Sequence, residues 1–129
     1  MEKTRVDIKM AGQANRGIFR FVEAAKYSWQ GMVAAYKNEE AFRQETILAL
    51  LLTPVAFIIS DTGVELALLI GSLILVIIVE LLNSGIEAVV DRIGLEKHEL
   101  SGRAKDIGSA AVFFSLVNVA IIWLCIIVG

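Results

Sequence analysis

Three stretches of the chain carry no Asp, Glu, Lys or Arg: residues 46–60, 66–79 and 107–129. A helix crossing a bilayer needs about 20 apolar residues, with about 17–25 the usual range. The last stretch meets this outright. The middle one meets it if it runs on to residue 90 through embedded polar side chains. The first becomes long enough if its helix starts near Ala41, with Arg43 and Glu45 near the interface. Pro54 lies within it, and membrane helices absorb proline better than soluble ones do. The pattern predicts an all-α membrane protein with transmembrane helices over residues 42–60, 64–92 and 102–128.

Residues 16–38 follow a different pattern. Ile18, Val22, Ala25, Trp29, Met32, Val33 and Tyr36 recur at helical spacing, while Arg20, Glu23, Lys26, Gln30 and Lys37 occupy the other side. Aromatic residues on one face and bases on the other fit a surface helix lying in the membrane interface. The alternative, packing against a soluble domain, has no such domain in the chain to pack against.

Composition agrees with this picture. Hydrophobic residues make up 57% of 129 residues, above the roughly 45–50% of ordinary soluble domains. The net charge of -2 says little, but the placement of the bases says more. All 12 Lys and Arg residues fall before or at the start of the first span, or around the connection between the second and third, and none lies in the connection 61–65 or at the C-terminus. By the positive-inside rule, the N-terminus and the second loop face the cytoplasm of a multi-pass protein. Cys125 is the lone cysteine, so no internal disulfide forms. The polar sequence after Met1 predicts no cleavable signal peptide. Gly94 is the expected stop of the second span, and Ser101 the expected N-cap of the third.

The middle span ends in "LVIIVELLNSGIEAVVDR", residues 75–92, which puts three carboxylates into an apolar segment. At about 100° per residue, with Glu80 at zero, Glu87 falls near about -20°, Asp91 near about +20°, Ser84 near about +40° and Asn83 near about -60°. One polar stripe therefore faces protein or water. An ionised carboxylate deep in the membrane costs about 2.5–3.5 kcal/mol by insertion scales, and such residues are functional by default. A structural ion pair or a protonated structural Glu is the alternative, weakened because no base lies deep in a span.

Glu80 and Glu87 are two turns apart, about 10.5 Å along the axis. That spacing suits separate roles. Glu80, the deeper and more desolvated, suits a general base. Glu87, the shallower, suits a divalent cation. Magnesium takes one or two carboxylates together with phosphate oxygens and water, and Glu39, Glu40 or Glu45 of "NEEAFRQE" could supply the second. Lys105 and Asp106 stand at the cytoplasmic mouth near His98, where Lys105 could hold a phosphate as a point charge; each can also be a plain solvated loop residue. There is no Walker A sequence, kinase Gly-rich loop or "DFG". Residues alone thus describe a membrane-embedded, metal-assisted acid/base site without naming its substrate.

The wording "VELLNSGIEAVVDRIG" followed by "HELSGRAKDIGSAAV" closely resembles the bacterial diacylglycerol kinase family, as does "AAKYSWQGMVAAYKNEEAFRQE" upstream. The resemblance runs from roughly Arg20 to the C-terminus; Gly85 departs from the Ala usual there. It implies phosphoryl transfer from ATP with Mg2+ to the primary hydroxyl of diacylglycerol, giving phosphatidic acid at the bacterial inner (cytoplasmic) membrane. It also implies a homotrimeric helical bundle with shared active sites, and no nucleic-acid partner. Carried over by position, Glu80 would be the catalytic base, and Glu39 and Glu87 would bind the metal. Arg20, Tyr27, Glu39, Glu87, Glu96, His98, Lys105 and Asp106 would contact ATP. Trp29, Glu80, Asn83 and Ser109 would lie at the lipid substrate, and Asp91 could be purely structural.

Two alternatives remain. An undecaprenol kinase of the same superfamily would keep Glu80, Asn83 and Glu87 and change the lipid pocket. A small proton- or cation-conducting subunit would use Glu80 and Glu87 as a relay, but needs polar groups in the outer half of the span, where only Ser72 and glycine occur.

Overall fold

Each apolar run forms one continuous helix. The computed structural model describes residues 2–129, with side chains from Arg16 onward. Helix α1 spans Glu2–Asn38, α2 Glu40–Ile59, α3 Gly63–Ile93 and α4 Glu99–Val128. The last three are long and apolar enough to cross a membrane. The protein is an all-α, multi-pass membrane protein.

Helix α1 begins well before Arg16, where the amphipathic pattern starts. Glu2, Lys3, Arg5, Met10, Ala11 and Gln13 are residue types that favour helix without any amphipathic pattern. Two compact units divide the chain, Met1–Ala34 and Ala35–Gly129. In the first, Ile18, Val22, Trp29 and Met32 are exposed, the apolar face expected of an interfacial helix.

In the second unit, α3 is the central element and packs against both α2 and α4. Its start is fixed by a capping box. The Glu65 N–H donates to Thr62 Oγ1 at 3.2 Å, and the Thr62 N–H donates back to Glu65 Oε2 at 3.3 Å. The core joins Ala56 of α2, Leu69 and Leu73 of α3 and Trp123 of α4. Within it, the Trp123 indole N–H donates to Ser72 Oγ at 3.2 Å, and the Ser72 hydroxyl donates to the Leu69 carbonyl at 2.7 Å. Ser72 is therefore spent as a cross-brace between α3 and α4. It is not free to serve as the outer step of a proton relay.

The α3–α4 loop corrects one expectation. Gly94 does end α3, with an extended backbone. However, α4 starts at Glu99 and not after Ser101, because His98 is the N-cap. Its Nδ1 accepts from the Leu100 N–H at 3.1 Å, and Glu99 places a negative charge in the first turn, where the helix dipole favours it. Ser101 and Gly102 are consequently inside the helix. A histidine acceptor is uncommon at a cap, where Ser, Thr, Asp and Asn lead, which is why Ser101 is the cap that the sequence predicts.

Candidate active site

The polar stripe of α3 falls on the face turned toward its neighbours. Glu80 is 4% exposed, while Asn83, Ser84 and Glu87 are half-buried. Asp91, at the end of the helix, is exposed. The electrostatic neighbours of Glu80 are Glu45 on α2, Glu87 and Glu39. Glu39 itself is the single non-helical residue between α1 and α2, with extended backbone angles. Its carboxyl titrates above the ordinary glutamate value, first because burial penalises the charge and then because Glu87 and Asp91 repel it. Four glutamates and an aspartate thus share one field.

Among the described residues the ion pairs are Arg103–Glu99 and Lys105–Asp91. Among the described residues no cation pairs with Glu80 or Glu87, which argues against a structural ion pair as the reason for their presence in a span. Among the described residues no group of three His, Cys, Asp or Glu side chains is assembled as a metal site. Glu39 and Glu87 together offer two carboxylates. Both fit a magnesium ion whose remaining positions go to phosphate oxygens and water. Like charges that repel one another through burial are also the arrangement a divalent cation relieves.

Two neighbours hold this cluster in shape. The Asn83 Nδ2 donates to Glu87 Oε1 at 3.3 Å across one helical turn. Arg43 Nη1 donates to the carbonyls of Tyr36 at 3.0 Å and Lys37 at 3.1 Å. Those are terminal carbonyls of α1, which a guanidinium satisfies well. Arg43 thereby clamps the turn that presents Glu39. From sequence Arg43 is an interfacial charge, since nothing in its spacing reveals a bond made backward to main-chain carbonyls.

The remaining predicted residues fall into two groups. Glu96, His98 and Lys105 line one concavity of about 540 Å³ in the α3–α4 loop region, together with Asp91 and Ser101. Its volume lies within the range of small-molecule sites, roughly 300–1,000 Å³. Lys105 Nζ reaches Asp91 Oδ1 at 2.8 Å there. Asp106 and Ser109 are exposed on α4 and do not line that concavity. Arg20, Tyr27 and Trp29 are exposed on the first unit.

The fold and this cluster define a polytopic helical membrane protein with a buried, unpaired carboxylate leading to a shallower acidic pair. The family model for prokaryotic diacylglycerol kinase matches residues 26–127. The chain is 54% identical over 111 residues to the diacylglycerol kinase of Escherichia coli K12, covering 86% of this chain and 90% of that one. It is 53% identical over 107 residues to that of Haemophilus influenzae Rd, covering 83% and 91%. With that of Pseudomonas aeruginosa PAO1 it shares 48% over 113 residues, covering 88% and 92%. The chain belongs to the prokaryotic diacylglycerol kinase family, as the resemblance of its motifs implies.

Proposed function

We propose that this protein is an ATP-dependent lipid kinase that phosphorylates the primary hydroxyl of diacylglycerol to give phosphatidic acid. The observation that carries the reading is the burial of Glu80 in a membrane span without a cationic partner. Family membership supplies the substrate class. Glu80 accepts the proton of the lipid hydroxyl as its oxygen attacks the γ-phosphorus of ATP. A new O–P bond forms, the bond from the γ-phosphorus to the β,γ-bridging oxygen breaks, and ADP leaves. Glu39 and Glu87 hold Mg2+, which supplies neutralisation of phosphate charge when bound.

Lys105 meets the phosphates as a point charge, Glu96 and His98 contact the nucleotide at the α3–α4 loop, and Asp106 contacts it from α4. The family resemblance adds Arg20 and Tyr27 as ATP-binding residues. Trp29, Asn83 and Ser109 flank the lipid. Such a site needs positioning and charge neutralisation more than covalent chemistry, so a phosphate-binding loop is dispensable. The protein works at the bacterial inner membrane with its N-terminus and site on the cytoplasmic side, an orientation that the distribution of its 12 basic residues supports. Copies of the chain assemble as a homotrimer that shares its sites and covers part of the apolar surface left exposed on α2, α3 and α4.

The test offers diacylglycerol and undecaprenol in parallel to the purified protein with ATP and Mg2+. Labelled phosphate should pass to diacylglycerol. Transfer to undecaprenol alone would assign the chain to the other branch of the superfamily.

A further inference from the structure

Gly108 is buried in α4 against α3. A Cβ built on it would collide with Asn83 Oδ1 and come within 3.2 Å of Asn83 Cγ. The other glycines inside the spanning helices have room to spare: a Cβ at Gly71, Gly85 or Gly102 meets nothing within 4 Å. The close approach is thus confined to one pair of residues.

The Asn83 carboxamide has little choice of seat. Its Nδ2 donates to Glu87 Oε1, and its Oδ1 is buried, without a hydrogen-bond donor. Exchanging the two ends would turn the amide oxygen toward a carboxylate oxygen, an acceptor facing an acceptor. Space beside Gly108 is what lets the oxygen lie inward while the nitrogen reaches Glu87. An alanine at 108 is the better helix former, and the atoms it would displace are the tip of a side chain, not backbone. The helix pair tolerates that change; the carboxamide does not.

We propose that Gly108 is a positioning residue for phosphoryl transfer, acting by seating the Asn83 carboxamide and through it the Glu87 carboxylate. The inference rests on the proposed roles of Asn83 and Glu87. Gly108→Ala should lower kcat about tenfold or more and raise the Mg2+ concentration giving half-maximal rate, with the thermal midpoint held or raised. The Asn83 side-chain amide resonance, identified by its loss in Asn83→Ala, should shift in Gly108→Ala. In the Asn83→Ala background, adding Gly108→Ala should change neither kcat nor the Mg2+ dependence, because its Cβ then has space. Gly85→Ala, facing open space, should leave activity unchanged. If the two losses add in the double variant, or Gly85→Ala is as harmful as Gly108→Ala, the positioning role is wrong while the kinase site stands. Full activity in Gly108→Ala overturns it equally. Full activity in Asn83→Ala removes the site assignment itself, and this inference with it.

Discussion

Lys105 Nζ lies 2.8 Å from Asp91 Oδ1, joining α4 to α3 across the loop concavity. Both side chains are about half exposed (44% and 50%), so the pair contributes little to stability. In the proposed function its importance is positional: Asp91 holds the one lysine of α4 where a triphosphate would meet it. Lys105→Met should raise KM for ATP about tenfold or more and leave the thermal midpoint nearly unchanged. Asp91→Asn should raise KM less, since the lysine keeps its charge and loses only its tether. Steady-state kinetics with ATP varied at saturating lipid decides this; a large fall in midpoint with unchanged KM would assign the pair a structural role.

Glu39 makes the pH dependence predictable in sign. Its carboxyl titrates above the ordinary value through burial, Glu87 and Asp91. The folded state therefore favours the protonated form. That contribution to stability is fully present below the ordinary glutamate pKa and is lost as pH rises through the elevated one. Thermal midpoints measured without Mg2+ should decline across that window in the wild type and decline less in Glu39→Gln. Added Mg2+ should restore more stability at the high-pH end, where the proton no longer competes with the metal. A Glu39→Gln profile parallel to the wild type would contradict the assignment.

The Ser72–Trp123 brace should behave as structure alone. Ser72→Ala leaves the buried indole N–H of Trp123 without its acceptor, which costs about 1–3 kcal/mol. Unfolding in mixed micelles should show that loss. Turnover per folded molecule should be unaffected, because Ser72 lies about 12 Å along α3 from Glu80 at 1.5 Å per residue. A selective fall in turnover would instead implicate the outer half of α3 in the reaction.

Sequence patterning made the spans legible because lipid demands long uncharged runs, and the stripe from Glu80 to Asp91 was legible because helical periodicity converts spacing into direction. The interactions between elements were not. Arg43 reaches back to carbonyls of the preceding helix, and His98 caps a helix with a ring nitrogen; neither uses a recurring spacing. Gly108 reads in sequence as one more small residue in a span, and only the position of Asn83 on the facing helix shows that a side chain there would displace the carboxamide. Likewise Lys105 and Asp91, 14 residues apart, read as two solvated charges until the loop brings them together.

The turnover of Glu80→Gln with ATP and diacylglycerol both saturating tests the central claim most directly. Gln keeps the size and removes both the basicity and an unpaired buried carboxylate. The account predicts a fall in kcat of about 10²–10⁴-fold in a protein that melts no lower than the wild type. A variant that melts like the wild type and turns over at a near-normal rate would contradict it.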